Sequence, residues 1–269
     1  MNNWIFCIDS DGCVMDTMTY KHNLFFGPIA AEIFDVHHRE KFLQDWNNIN
    51  LYSETRGINR FLGLVKTLEK NDVTSINRLK HWVSLTKELS NPSLKREIEY
   101  SQSEDLLKAL KWSEEVNQQI SQAKGLDKPF LSARDTIKAL KKYGKIIIVS
   151  SANKEAVQEE WERHELLSLV DELCCQDKGK KEDIIRSVIE NGCDLDKILM
   201  IGDSPGDLEA ANKNKVFFYP ILVNKEKESW ENLRTDVLFK CLSGDYVDIE
   251  QKYIDTFWKN LTISRGERK

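Results

Sequence analysis

Asp9 and Asp11 stand in the run DSDGC, directly after the apolar stretch WIFCI, so two carboxylates fall where a buried strand would end. An Asp-Ser-Asp-Gly turn can simply return a strand to solvent, because Asp, Ser and Gly make turns for local reasons. Two later apolar runs end in the same polar manner. KIIIVS closes on Ser150, followed by Ser151, and ILMI (198–201) runs into GDSPGD with Asp203 and Asp207. Between them lies DKGKKED, which offers Lys178, Lys180 and Lys181. Four carboxylates drawn together repel, and each is driven toward protonation. A hard divalent cation relieves that repulsion, and Mg²⁺ is suited by a few carboxylates, water and a substrate phosphate. The Ser150 hydroxyl and the amides opening the next helix provide for an anion, helped by the helix dipole. A lysine adds compensating charge. Cation, anion cradle and lysine together describe a phosphoryl-transfer site.

Such a site requires the three runs to lie side by side. WIFCI, KIIIVS and ILMI are continuous and rich in β-branched residues, which is the pattern of strands covered on both faces. NKEAVQEEWERHELL and GDLEAANKNK carry helical periodicity between and after them. Strand, helix and strand in that order predict right-handed crossovers and a parallel sheet, with ligands at the carboxyl ends of the strands. Residues 18–128 differ in character: they read as helices throughout, with Asn91 as an N-cap before Pro92 and GLDKPF as a return linker. The expected organisation is a core of residues 1–17 and 129–269 interrupted by a helical domain of 18–128. Aromatics after Asn224, among them Trp230, Phe239, Tyr246 and Phe257, read as packing of a terminal segment onto the core.

Several function classes are excluded by the remainder of the sequence. No apolar run approaches the roughly 18 residues of a membrane span. A net charge of −5, with basic and acidic residues interspersed, gives no electrostatic footprint for nucleic acid or anionic lipid. Six cysteines without C-x-x-C spacing read as free thiols, and His37–His38 has no partner for a zinc site. No P-loop motif occurs. The N-terminus has no signal-peptide pattern, so the expected location is the cytoplasm.

The four segments in this order resemble the motifs of the haloacid dehalogenase-like (HAD) superfamily: D-x-D-G as Asp9-Ser10-Asp11-Gly12, then Ser150, then a lysine of DKGKKED, then G-D-x-x-x-D as Gly202 to Asp207. Asp16 extends the first motif, whereas Cys13 replaces the Thr most members carry there. Lys178, Lys180 and Lys181 compete for the third motif. Helical register favours Lys181, just before Ile184 and Ile185. The resemblance covers roughly residues 4–17 and 130–224. It implies an α/β, Rossmann-like parallel sheet core with an inserted all-helical C1-type cap, in the branch of C1-capped phosphatases and β-phosphoglucomutases.

By the same resemblance Asp9 is the nucleophile that forms an aspartyl-phosphate, and Asp11 is the general acid and base that also lends its backbone carbonyl to the metal. Ser150 and Lys181 complete the catalytic set, Asp203 binds Mg²⁺, and Asp207 binds it or orients its waters; the plain alternative for both acids is capping of a helix N-terminus. Asp11 argues for phosphate chemistry over dehalogenation. A cap of this size closes over the strand ends and favours a small phosphorylated metabolite. Ser151 and Arg60, the latter in TRGINRF, are the substrate-binding candidates, with Lys21 and His22 behind them. Arg60 reads equally well as a surface arginine. The resulting expectation is a Mg²⁺-dependent phosphatase of a small metabolite. Its rivals are a phosphomutase of the β-phosphoglucomutase type and a non-catalytic HAD-like binding module.

Overall fold

Apolar runs with no polar alternation cannot present a wet face, and the protein uses them as the buried strands of one parallel sheet. In the computed structural model, which describes residues 4–123 and 125–262, the strands are β1 (Trp4–Ile8), β2 (Gly144–Val149), β3 (Glu172–Cys174), β4 (Ile198–Gly202) and β5 (Phe217–Pro220). Their spatial order is β3-β2-β1-β4-β5, and every pairing is parallel. All residues of β1 and β4 are buried. Ile8 pairs with Ile148 on one side and Ile201 on the other, so Asp9, Ser150 and Asp203 leave the sheet at one end. The order of connection reverses about β1, and such a reversal opens a crevice at the carboxyl ends of the strands.

The chain divides into two compact units, one of Met1–Met18 with Asp127–Lys269 and the other of Thr19–Leu126. In the first, the sheet packs against helices Ala133–Leu140, Lys154–Arg163, Pro205–Asn214 and Glu250–Thr262, and helix Lys181–Glu190 lies against Pro205–Asn214. Trp161, Trp230 and Tyr246 join its core, so the segment after β5 does pack onto the sheet, although Phe239 is exposed. Its two linker segments run antiparallel: Phe130 N–H donates to Val14 O and Asp16 N–H to Lys128 O, each at 2.8 Å. Asp127, beside them, is clasped by Arg163 and by His164 Nε2 at 2.8 Å. Burial pushes its carboxyl up, but the His164 and Arg163 bonds and its own amide outweigh that and hold it below the ordinary range.

The second unit is helical, with Arg39–Leu51, Arg60–Lys70, Asn77–Leu85, Asn91–Ser101 and Glu104–Gln122 around a core of Phe42, Trp46, Phe61, Trp82 and Trp112. A π-helical segment, His22–Phe26, leads into helix Gly27–Ile33. The Phe26 carbonyl at its end accepts from Trp112 Nε1–H at 2.9 Å. The N-cap expected at Asn91 lies one residue earlier. Ser90 has extended backbone and its hydroxyl accepts from Ser93 N–H, so Asn91 and Pro92 form the first turn. All six cysteines are free. Among the described residues no helix is long and apolar enough to cross a membrane.

Candidate active site

Where β1 and β4 end, Asp9 and Asp203 enter side by side, and the turn after β4 adds Asp207. Oxygen atoms of these three carboxylates lie within 4.8 Å of one another, and all three residues are buried. Lys181, the first residue of helix Lys181–Glu190, reaches into the group, 2.8 Å from Asp9 Oδ1 and 2.5 Å from Asp207 Oδ1. Lys178 and Lys180 are exposed. Burial pushes the Asp9 carboxyl well above its ordinary range; Lys181 draws it back, while Asp207 and Asp203 push it further up. Burial lowers the pKa of Lys181, but Asp207 and Asp9 outweigh it and hold the ammonium well above the ordinary lysine range.

Asp207 has a second task, at the start of the helix that follows β4. Its Oδ2 accepts from Ser204 Oγ at 2.7 Å and from the amides of Ser204 and Asp203 at 3.0 and 3.2 Å. This is a capping box on helix Pro205–Asn214. Only Oδ1 faces Lys181. The carboxylate packs beneath Gly202, where an added Cβ would stand 2.3 Å from Asp207 Cγ and 2.4 Å from its Cβ. Gly202→Ala is therefore expected to cost about 1–3 kcal/mol, the usual scale of overpacking, read as a lower urea midpoint at unchanged slope.

Asp11 stands outside this group. It is half-buried, and its Oδ1 accepts from Thr17 Oγ1. Gly12 next to it has φ of +83°, a left-handed geometry that explains glycine in the turn. Ser150 is buried at the end of β2, where its Oγ accepts from Ala152 N–H at 3.1 Å and its own amide donates to Cys174 O. Ser151 is exposed. Asn153, not singled out by its sequence, caps the next helix by accepting from Ala156 N–H. In the helical unit, Arg60 is more enclosed than a surface arginine. Its Nη1 donates to Asn117 Oδ1 at 2.6 Å and Ser113 Oγ at 3.2 Å, with the guanidinium 4.9 Å from the Phe26 ring centroid. Burial lowers its pKa to about 10.

Comparison with known proteins gives this geometry a setting. The model of the haloacid dehalogenase-like hydrolases matches residues 66–221, which include Ser150, Lys181, Asp203 and Asp207 and begin downstream of Asp9 and Asp11. No curated protein matches the chain. Among solved structures, a protein of Lactobacillus delbrueckii subsp. bulgaricus assigned by prediction as a phosphoglycolate phosphatase is 20% identical, with a TM-score of 0.50 over 82% of this chain and 86% of its own. A second, from Haemophilus somnus and with the same kind of assignment, is 13% identical, with a TM-score of 0.51 over 82% and 85%. At these identities the two structures share the fold. The family match spans more than half of the sequence, and the chain belongs to the haloacid dehalogenase-like hydrolases.

Proposed function

We propose that this protein is a magnesium-dependent phosphatase that hydrolyses a small phosphorylated metabolite through an aspartyl-phosphate. The observation that carries the reading is the buried meeting of Asp9, Asp203 and Asp207 with the Lys181 ammonium. Three carboxylates face one ammonium, and an all-oxygen donor set of that charge fits a hard divalent cation. Asp9 and Asp203 would hold it, with Asp207 contributing through Oδ1. When bound, Mg²⁺ supplies positive charge between nucleophile and phosphate.

The chain's own groups supply the remaining steps. A carboxylate oxygen of Asp9 bonds to phosphorus while the ester P–O bond breaks, and the Asp11 carboxyl gives its proton to the leaving oxygen. Asp11 then takes a proton from water, which attacks the aspartyl-phosphate and releases inorganic phosphate and the free Asp9 carboxylate. Thr17 holds Asp11 Oδ1 meanwhile. Lys181, fixed by Asp207, offsets charge on Asp9 and on the phosphoryl oxygens. Ser150 and Ser151 take phosphoryl oxygens at the end of β2. In the helical unit, Arg60 suits a second anionic group of the substrate, because its guanidinium bonds to the neutral Asn117 and Ser113 among the described residues.

A screen of phosphorylated metabolites with magnesium, read as inorganic phosphate, tests this. Release is expected from a small subset of esters, to disappear with EDTA and to return with excess Mg²⁺. Equal release with and without EDTA would remove the cation from the reading, and conversion of a sugar phosphate to its isomer without phosphate release would make the chain a mutase.

A further inference from the structure

Two buried indoles hold the turn between Asp9 and Cys13 from outside. Trp161, on helix Lys154–Arg163, donates its Nε1–H to Ser10 Oγ at 2.8 Å, and Trp230, on helix Glu226–Asn232, donates to Cys13 O at 3.0 Å. Both rings, Ser10 and Cys13 are 0% exposed. The bonded positions bracket Asp11 and Gly12, and their partners come from 151 and 217 residues away. Within the turn, Ser10 O accepts from the amides of Cys13, Val14 and Met15 at 3.3, 3.0 and 2.9 Å, and Gly12 N–H donates to Met15 O at 2.8 Å. Those bonds close the turn on itself. The indoles tie it to separate helices, one of which starts just after Ser150 and Ser151 and the other of which lies beyond the region shared with the family model. A buried hydroxyl and indole N–H that lose each other find no water, so neither bond is easily given up.

We infer that Trp161 and Trp230 are positioning residues: through Ser10 Oγ and Cys13 O they fix the turn that carries Asp11, and with it the point from which that carboxyl moves a proton. The catalytic part of this inference rests on the phosphatase reading; the holding of the turn does not. A displacement near 1 Å at a reacting group costs up to about 100-fold in rate. Loss of one of the two bonds is expected to cost about tenfold in kcat with KM within about twofold, the pattern of a group that acts in the transition state.

The test compares the parent with Trp161→Phe, Ser10→Ala, their double variant and Trp230→Phe, using p-nitrophenyl phosphate with magnesium. Trp161→benzothienylalanine keeps the ring and deletes the N–H. Tyr246→Phe serves as control, since it removes a buried bond to Phe218 O on β5. The singles and the benzothienyl variant are expected to lose kcat, and the double variant to be no worse than Trp161→Phe, because both changes delete one bond. Amides of Cys13, Val14 and Met15 are expected to exchange hydrogen faster in all of these variants and unchanged in the control. A benzothienyl variant with parental kcat and parental exchange overturns the inference. If the parent releases no phosphate from any ester, the phosphatase reading falls, and the exchange of these three amides alone decides whether the indoles hold the turn.

Discussion

Asp9→Asn is expected to lower kcat by roughly 10⁴- to 10⁶-fold, the scale on which enzymes fail when a covalent nucleophile is removed. A carboxamide is isosteric with the carboxylate but neither carries the charge nor forms the acyl phosphate. The fold should survive the change. Asp9 is buried, shares its surroundings with Asp203 and Asp207, and has a carboxyl pushed above its usual range by burial first and by those two acids besides. Removing its charge lessens the repulsion and leaves Lys181 with Asp207 at 2.5 Å. In EDTA the variant is therefore expected to unfold at a higher temperature than the parent, whereas magnesium should raise the parent's midpoint more than the variant's. Thermal unfolding with and without magnesium, beside turnover on a good ester, measures both. Equal turnover by the two proteins would deny Asp9 its role, and a collapse of the variant's stability would show that the carboxylate is structural.

How much of this arrangement the sequence discloses depends on what each part needs from its neighbours. β1 and β4 are legible because burial on both faces demands unbroken apolar runs, and WIFCI and ILMIG supply them. β3 and β5 are not: ELC and FFYP have three and four residues, too few for any periodicity, and become strands only by pairing with β2 and β4. The nearness of Asp9 to Asp203 follows from strand order, since both leave the sheet at the same end. Helical register already favours Lys181 over Lys178 and Lys180, and its helix begins there, after Gly179 at a φ of +106°. The capping pattern Ser204-x-x-Asp207 was open to view, yet the same residues fit a metal motif, and spacing alone does not divide the two oxygens of one carboxylate between tasks. Trp161 gives no signal of its bond to the turn. Its periodicity marks it as core, and the bond to Ser10 depends on where a helix end meets a turn 151 residues earlier.

Lys181→Met should produce the largest loss of stability. The lysine side chain is 12% exposed and is the cation shared by Asp9 and Asp207. Methionine fills much the same space, so packing is nearly kept while three carboxylates lose their positive neighbour. Breaking a buried ion pair from one side costs about 3–5 kcal/mol, and that is the deficit expected at pH 7 in EDTA. The sign of its pH dependence follows from the acids left behind. Burial and the charges of Asp207 and Asp203 raise the folded pKa of Asp9 above its unfolded value, so between those two values the folded state binds more protons, and stability rises as pH falls. The deficit should accordingly shrink from pH 7 toward pH 5, and magnesium should reduce it at pH 7 by replacing the missing charge. Turnover should not return with the stability, because magnesium adds charge without restoring the ammonium that joins Asp9 to Asp207. Urea unfolding at the two pH values, with and without magnesium, separates these effects. A deficit that neither acid nor magnesium reduces would show that Lys181 stabilises the protein by packing and not by charge.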